Sequence, residues 1–334
     1  MSISAHRVPL SVLDLAVVPA GATSAAALSD TTRLAQRAEA LGYLRFWVAE
    51  HHNMPNIAST TPPVLIAHLA AATSTLRVGS GGVMLPNHPA LVVAEQFALL
   101  EALHPGRIDL GIGRAPGTDP ATAAALRRTP AGLGVEDFPR HLLDLMGLLG
   151  DRRSVTGLWE RFAATPVAAT TPTIVLLGSS GYSAQLAGQL GLPFAFAHHF
   201  DTGGTLQALA LYHQNFTPSP VLERPYAIVT AAVLTAATDE EAAWFAAPAQ
   251  LMTLALRSGR LIPLLSPALA ADHPDLAMAR QMPSNRIVGA PATVVARLEA
   301  LLSETAANEI MVFTFTHGIA ERIRSLELLA QAWR

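Results

Sequence analysis

Apolar residues in this chain gather into short unbroken runs, and the segments between the runs carry apolar positions three and four apart. The runs fall at 8–18, 44–49, 76–83, 107–112, 173–177, 194–197, 226–235 and 310–315. A strand buried on both faces reads as a continuous apolar run, which is the habit of parallel sheets covered by helices. The intervening pattern predicts helices at 30–41, 61–73, 89–103, 138–150, 182–190, 205–216, 239–257, 291–303 and 319–333. Leu34, Ala38 and Leu41 share one face of the first, and Gly42 follows where a helix ends in a left-handed cap. Pro62 and Pro63 open the second, where a missing N–H is tolerated. Eight strands alternating with helices predict an α/β fold of the (β/α)8 TIM type. A doubly wound open sheet is the alternative, but no GxGxxG opens the first helix. Two segments break the alternation: 114–171 after strand 4, and the proline-rich, irregular 258–288 before strand 8. Both are expected to be insertions into a single domain spanning 1–334.

Composition narrows the function. Apolar residues make up 51% of the 334 and charged residues 14%, enough for a large core and sparse enough that part of the surface is expected to be covered by another subunit. A net charge of −3 without a basic block argues against nucleic acid or an anionic membrane as partner. The absence of cysteine excludes disulfides, thiolate metal sites and a cysteine nucleophile. The start, MSISAHRVPLSVLDL, has no basic stretch leading into an apolar one, and prolines and glycines interrupt the charge-free stretch between Arg161 and Asp201. The expectation is a cytoplasmic protein without a membrane span.

Parallel sheets bind ligands at the C-terminal ends of their strands, and several runs end there in polar or glycine-rich residues. Strand 2 ends in Glu50, His51 and His52. A histidine at a barrel mouth can move a proton near neutral pH, or it can be a hydrogen-bonded structural group. Contiguous residues cannot converge on a metal from one extended strand, and no HExxH is present, so no metal is expected. Strand 3 ends in Ser80-Gly81-Gly82-Val83-Met84-Leu85-Pro86, whose glycines allow close backbone approach or simply a turn. Strand 4 ends in Gly113-Arg114; the arginine suits a phosphate or a surface ion pair. Strand 5 leads into Gly178-Ser179-Ser180-Gly181-Tyr182-Ser183, small residues that open a helix as an anion cradle or a plain cap, without a Walker lysine. His198, His199 and His317 line the pocket or pack beside it, and Asp109, inside a strand, reads as structural.

With these pieces in place the sequence resembles the bacterial luciferase-like flavin-dependent monooxygenase family, most closely its single-chain luciferase-like monooxygenase group. The resemblance is carried by PLSVLDLA, LGYLRFWVAEHHNMPNIAS, RVGSGGVMLPNHPALVVAEQFALLEALHPGRIDLGIGRAPGTD, LLGSSGYSAQLAGQLGLPFAFAHHF and the closing VGAPATV. It implies a barrel that binds reduced FMN at its strand ends, with His51 as catalytic histidine. It places a non-prolyl cis peptide beneath the flavin at Gly82–Val83. Arg114, Ser179 and Ser180 match phosphate-binding positions, and Gly178, Tyr182 and Ser183 complete that loop. It implies a homodimer through helices 61–73 and 89–103, where Ala70, Ala71 and Ala72 permit close approach. It also implies a two-component enzyme: a separate flavin reductase supplies FMNH2, and one atom of O2 enters a small organic substrate, an aldehyde or another apolar carbonyl compound. The rival expectations are an F420-dependent oxidoreductase on the same barrel and a non-catalytic flavin-binding protein. The sequence departs from luciferase-type members at a serine that replaces the acidic residue before the phosphate-loop serine, and in the shortness of 258–288.

Overall fold

Parallel pairing runs without a break around a closed ring. The computed structural model describes residues 7–115, 117–127, 137–200 and 203–334. The first six residues of the start read above, and residues 116 and 128–136 of the 114–171 segment, lie outside the described residues. The strands are β1 (Leu10–Asp14), β2 (Arg45–Val48), β3 (Arg77–Met84), β4 (Ile108–Gly113), β5 (Thr173–Gly178), β6 (Phe194–Phe196), β7 (Ala227–Thr235), β8 (Ile287–Gly289) and β9 (Glu309–Phe313). Each of β1 to β6 pairs with the next, β6 pairs with β7, β7 with β9 and β9 with β1. Eight strands therefore form a TIM-type barrel, as the run-and-helix alternation predicts.

The helices are α1 (Ser24–Leu41), α2 (Pro62–Ala71), α3 (Ala90–Leu103), α4 (Pro120–Arg127), α5 (Phe138–Leu148), α6 (Gly181–Gln189), α7 (Thr205–Asn215), α8 (Asp239–Arg257), α9 (Pro267–Ala271), α10 (Leu276–Gln281), α11 (Pro291–Thr305) and α12 (Ile319–Ala332). α1 begins six residues before the predicted 30, because Thr23 caps it: its Oγ1 accepts the Ala26 N–H at 3.2 Å. The alanines of that first turn carry no amphipathic signal. Gly42 ends the helix at φ 83, as expected.

Segment 258–288, expected to be irregular, contains α9, α10 and β8. These elements have five, six and three residues, too few to show a period in the sequence. Pro267 opens α9 behind a Ser266 cap. β8 pairs only with the C-terminal end of β7, so it stands outside the ring.

Alternation along each strand divides the core into two layers. Leu13, Trp47, Val175, Ile228 and Met311 fill the barrel interior. Val12, Phe46, Val78, Leu110 and Val312 face the helices. At the N-terminal end the interior is charged. Asp109 receives Arg45 Nη1 at 2.9 Å, Trp47 Nε1 at 3.0 Å and Arg77 Nε at 3.0 Å. Glu309 receives Arg45 Nε at 2.9 Å, the Ser11 hydroxyl at 2.5 Å and the Tyr226 hydroxyl at 2.7 Å. Gly79 makes room for this plug: a Cβ there would lie 2.5 Å from the Asp109 carbonyl oxygen.

Removing one member of a buried ion pair strands its partner. Asp109→Ala is therefore expected to lower unfolding free energy by about 3–5 kcal/mol in urea titrations. Arg33→Ala, at an exposed helix pair with Asp30, is expected to stay within about 0.5 kcal/mol. Equal losses in the two variants would show that the plug is not a determinant of stability.

Candidate functional site

The opposite, C-terminal rim is organised by Glu50, which is 1% exposed. Its Oε1 accepts from His52 Nε2 at 2.9 Å, His88 Nε2 at 2.9 Å and Asn87 Nδ2 at 3.1 Å, and its Oε2 accepts from the Met84 N–H at 2.9 Å. Burial alone would raise this carboxyl's pKa. The hydrogen bond and charge of His88, with the bonds from His52 and Met84, outweigh burial and hold it below the usual carboxylate range. Glu50 thus ties the end of β2 to the end of β3.

That clamp separates two adjacent histidines. His52 is committed to Glu50. His51 is half-buried and donates from Nδ1 to the Gly117 carbonyl at 3.1 Å, while its backbone N–H reaches the Ser59 carbonyl at 3.1 Å. A carbonyl can only accept, so Nδ1 carries the proton and Nε2 keeps a lone pair. Desolvation lowers the His51 pKa below 6.5 against the raising effects of the Gly117 carbonyl and the Glu50 charge, so the ring is a neutral base at pH 7.

At the end of β3 the non-prolyl cis peptide joins Gly81 to Gly82, one residue before the expected Gly82–Val83. The ladder with β4 slips between Ser80 and Val83, and Val83 is again opposite Ile112. The Val83 side chain is 2% exposed and packs in the outer layer, so the irregularity has to precede it. Gly82 has no room for a side chain against backbone, and a side chain on Gly81 would require the Leu13 side chain to shift. A Cβ on Gly81 would lie 2.8 Å from Leu13 Cδ1, and one on Gly82 would lie 2.8 Å from the Gly111 carbonyl oxygen. Gly81 is half-buried, as are Leu15 and Leu177, so this stretch of the rim keeps some solvent contact.

Arg114 and the loop after β5 come together as the sequence reading expected. The Arg114 guanidinium carbon stands 4.1 Å from the centroid of the Tyr182 ring, a cation–π contact. Among the described residues no carboxylate pairs with Arg114. Ser179 and Ser180 are exposed, and Ser180, at the N-cap of α6, makes no capping bond with its side chain. The first-turn N–H groups of α6 therefore lack a side-chain acceptor. A cation beside an open helix N-terminus is a cradle for a dianion such as a phosphate monoester. Gly178 lets α6 approach closely: a Cβ there would lie 2.8 Å from Ser183 Cβ. Ser183 is buried and supports the loop from beneath.

On the β6 side, His198 Nδ1 lies 2.8 Å from Thr205 Oγ1, and His199 Nδ1 donates to the Thr230 carbonyl at 3.3 Å. Burial drives the His199 pKa down to about 3, helped by the charges of Arg286, His198 and His51. The ring is therefore a neutral wall, set against Phe200 and Phe313 with centroids 4.3 Å and 5.4 Å away. His317 is half-buried in the link from β9 to α12, and no hydrogen bond ties it to this cluster among the described residues.

Sequence reasoning named Glu50 without its role and passed over Asn87 and His88. Their partnership spans 38 positions and leaves no local pattern. Arg286 was also missed, since it follows the short helices of 258–288.

Comparison with known proteins bears on these residues as a set. The family model described as luciferase-like monooxygenase matches residues 8–309. The uncharacterised protein YvbT of Bacillus subtilis is 47% identical over 97% of this chain and 96% of its own length. A luciferase-like monooxygenase of Escherichia coli is 44% identical over 96% of both chains. The N-acetyl-S-alkylcysteine monooxygenase of Bacillus subtilis is 34% identical over 97% of both. Among solved structures, apo-MsnO8 superposes with a TM-score of 0.89 at 36% identity, covering 98% of each chain. The oxygenating constituent of 3,6-diketocamphane monooxygenase from Pseudomonas putida, solved with FMN, has a TM-score of 0.72 at 19% identity, covering 98% of this chain and 97% of that one. An F420-dependent secondary alcohol dehydrogenase has a TM-score of 0.68 at 15% identity, covering 98% and 99%. At those two lower identities the likeness is of fold alone. A match to the family model over most of the chain, with relatives this similar along their whole length, makes the chain a member of the luciferase-like monooxygenase family.

Proposed function

We propose that this protein is the oxygenase of a two-component system: a separate flavin reductase delivers FMNH2, and one atom of O2 enters a small organic substrate. The carrying observation is the Arg114 cradle at the end of β4 and the start of α6, on the same rim as a histidine held with Nε2 unprotonated. Reduced FMN, when bound, supplies the electrons that activate O2. The chain's own residues do the rest. Arg114 and the backbone N–H groups of Gly181, Tyr182 and Ser183 hold the phosphate, with the Ser179 and Ser180 hydroxyls beside them. The Gly81–Gly82 backbone leaves room for a flat ring system at the mouth. His51 Nε2 takes up and returns a proton, and Glu50 orients it indirectly by holding His52, Asn87 and His88 around the same turn.

The substrate class is a small aldehyde or other apolar carbonyl compound. A thioether is a second candidate, because the N-acetyl-S-alkylcysteine monooxygenase relative acts on one. Incubation with FMN, a reductase, NADH and 18O-labelled O2 should place one labelled atom in the product. Flavin oxidation at the same rate with and without every substrate in a panel would instead indicate a flavin store. Parallel titrations with FMN and F420 decide the cofactor; tighter binding of F420 would overturn the FMN assignment.

Arg114→Ala is expected to raise the FMN dissociation constant about 10- to 100-fold, the range for losing hydrogen bonds to a charged group. An unchanged constant would move the phosphate elsewhere. His51→Ala should cut turnover about 100-fold or more and leave FMN affinity near wild type. In the wild type, kcat/KM should fall on the acid side with its limb below pH 6.5, because burial favours the neutral ring and a proton is accepted only at lower pH. A limb above that value would assign the proton to another group.

The proposed assembly is a homodimer. Val64 on α2 and Val92, Leu99 and Leu103 on α3 are 69%, 43%, 48% and 60% exposed. The three on α3 stand at i, i+7 and i+11, an exposed apolar stripe on one of the two helices expected to pair, and Val64 is exposed on the other. Val64→Glu with Leu103→Glu should convert a dimer to a monomer in light scattering, and a wild-type monomer would refute the assembly.

A further inference from the structure

The segments that follow β2 and β4 are joined at His51 by a short ladder of side-chain hydrogen bonds. His51 Nδ1 donates to the Gly117 carbonyl at 3.1 Å, the Thr118 hydroxyl donates to the His52 carbonyl at 2.9 Å, and Asn53 Nδ2 donates to Thr122 Oγ1 at 3.1 Å. The donors alternate from one segment to the other, so 51–53 and 117–122 hold each other from both sides.

The residues on this ladder suit their places. Gly117 has φ 67, in the left-handed region. A Cβ on it would lie 2.7 Å from the Glu50 carbonyl oxygen, so a glycine is what lets this backbone lie against the end of β2. Asn53, at φ 56, is also left-handed, which asparagine tolerates better than most side chains. Asp119 precedes α4 and caps it: Oδ1 accepts the N–H groups of Ala121 at 2.9 Å and Thr122 at 3.0 Å, and Oδ2 accepts the Thr122 hydroxyl at 2.6 Å. The Thr122 proton is thereby spent, and its oxygen is left to accept from Asn53.

Imidazole chemistry gives this hold a purpose. A neutral ring carries its proton on either nitrogen, and a free histidine side chain favours Nε2. A ring protonated there cannot take up a proton at that atom. The Gly117 carbonyl reverses the preference, because it bonds only a ring protonated at Nδ1. Among the described residues that carbonyl is the ring's one hydrogen-bond partner. Glu50, His52 and His199 are the titratable groups that face the ring, and they act on it through charge alone.

We propose that Gly117 and Thr118 are positioning residues for His51: the Thr118 bond to the His52 carbonyl holds the Gly117 carbonyl in place, and that carbonyl keeps Nε2 free to take up a proton. The inference rests on the oxygenase reading and deepens it: the base at the end of β2 is set by the segment after β4, which begins at Arg114.

The test reads the tautomer directly, by long-range 1H–15N NMR of the flavin-free protein labelled at its histidines, at pH 8, where an ordinary histidine ring is neutral. The His51 signals are those lost in His51→Gln. In the wild type they should show the Nδ1–H form. Thr118→Val keeps the shape and removes the hydroxyl; it should shift the tautomer ratio toward Nε2–H about 3- to 10-fold, the range for a hydrogen bond lost or loosened. Thr118→Ser should keep the wild-type ratio. Gly117→Ala should shift it further, since the added Cβ displaces the carbonyl itself. In the FMNH2-loaded enzyme, turnover should fall in step with the Nδ1–H fraction, while the FMN dissociation constant stays near wild type. The proposal is overturned if wild-type His51 carries its proton on Nε2, if Thr118→Val leaves the ratio unmoved, or if turnover does not follow the ratio. Should Gly117→Ala not fold, Thr118→Val still decides. If the protein binds no FMN or oxygenates nothing, the oxygenase reading fails by itself, and the spectra of the flavin-free protein continue to report on the hold that Gly117 and Thr118 have on His51.

Discussion

The charged plug at the N-terminal end of the barrel is the constraint on which the rest of the structure depends. Asp109 and Glu309 share Arg45, and Arg77, Trp47, Ser11 and Tyr226 satisfy the remaining oxygens. These side chains come from β1 to β4, from β9, and from the residue before β7, so one network joins most of the ring. A parallel barrel has two unlike ends. Filling one with mutually satisfied charges closes it, and the ligand-binding chemistry falls to the other.

At that other end the same physics works on a smaller scale. Glu50 gathers four donors, and in doing so it sends His52 and its neighbour His51 to different tasks. Two identical side chains in sequence become a clamp and a base because one meets a buried carboxylate and the other a backbone carbonyl. His199 is a third case: burial and nearby cations keep it neutral, so it serves as a surface. The titration behaviour of each ring belongs to its surroundings.

Legibility in the sequence followed the length of the element. The eight barrel runs and the long helices could be read because a buried parallel strand and an amphipathic helix each repeat their signal several times. The start of α1 was hidden by alanines, which suit a helix without marking a face, and α9, α10 and β8 were too short to repeat anything. Glycine-rich or polar strand ends were read as one rim, and Arg114 does meet Tyr182 of the loop after β5 there. The cis peptide lay one residue from its expected place, because the position of a register slip depends on which residue first finds its partner on β4.

The sequence by itself determined the order of strands and helices, the barrel that order permits, the residues at the strand ends and the family. Each of these is written locally, in a run, a cap or a contiguous motif. Only the tertiary structure decided which of two adjacent histidines is free to act, and which carboxylate binds His88. These depend on groups dozens of positions apart meeting in a medium of low dielectric, where the distance to a partner and the access of water set the protonation state. Neither quantity exists until the chain has folded.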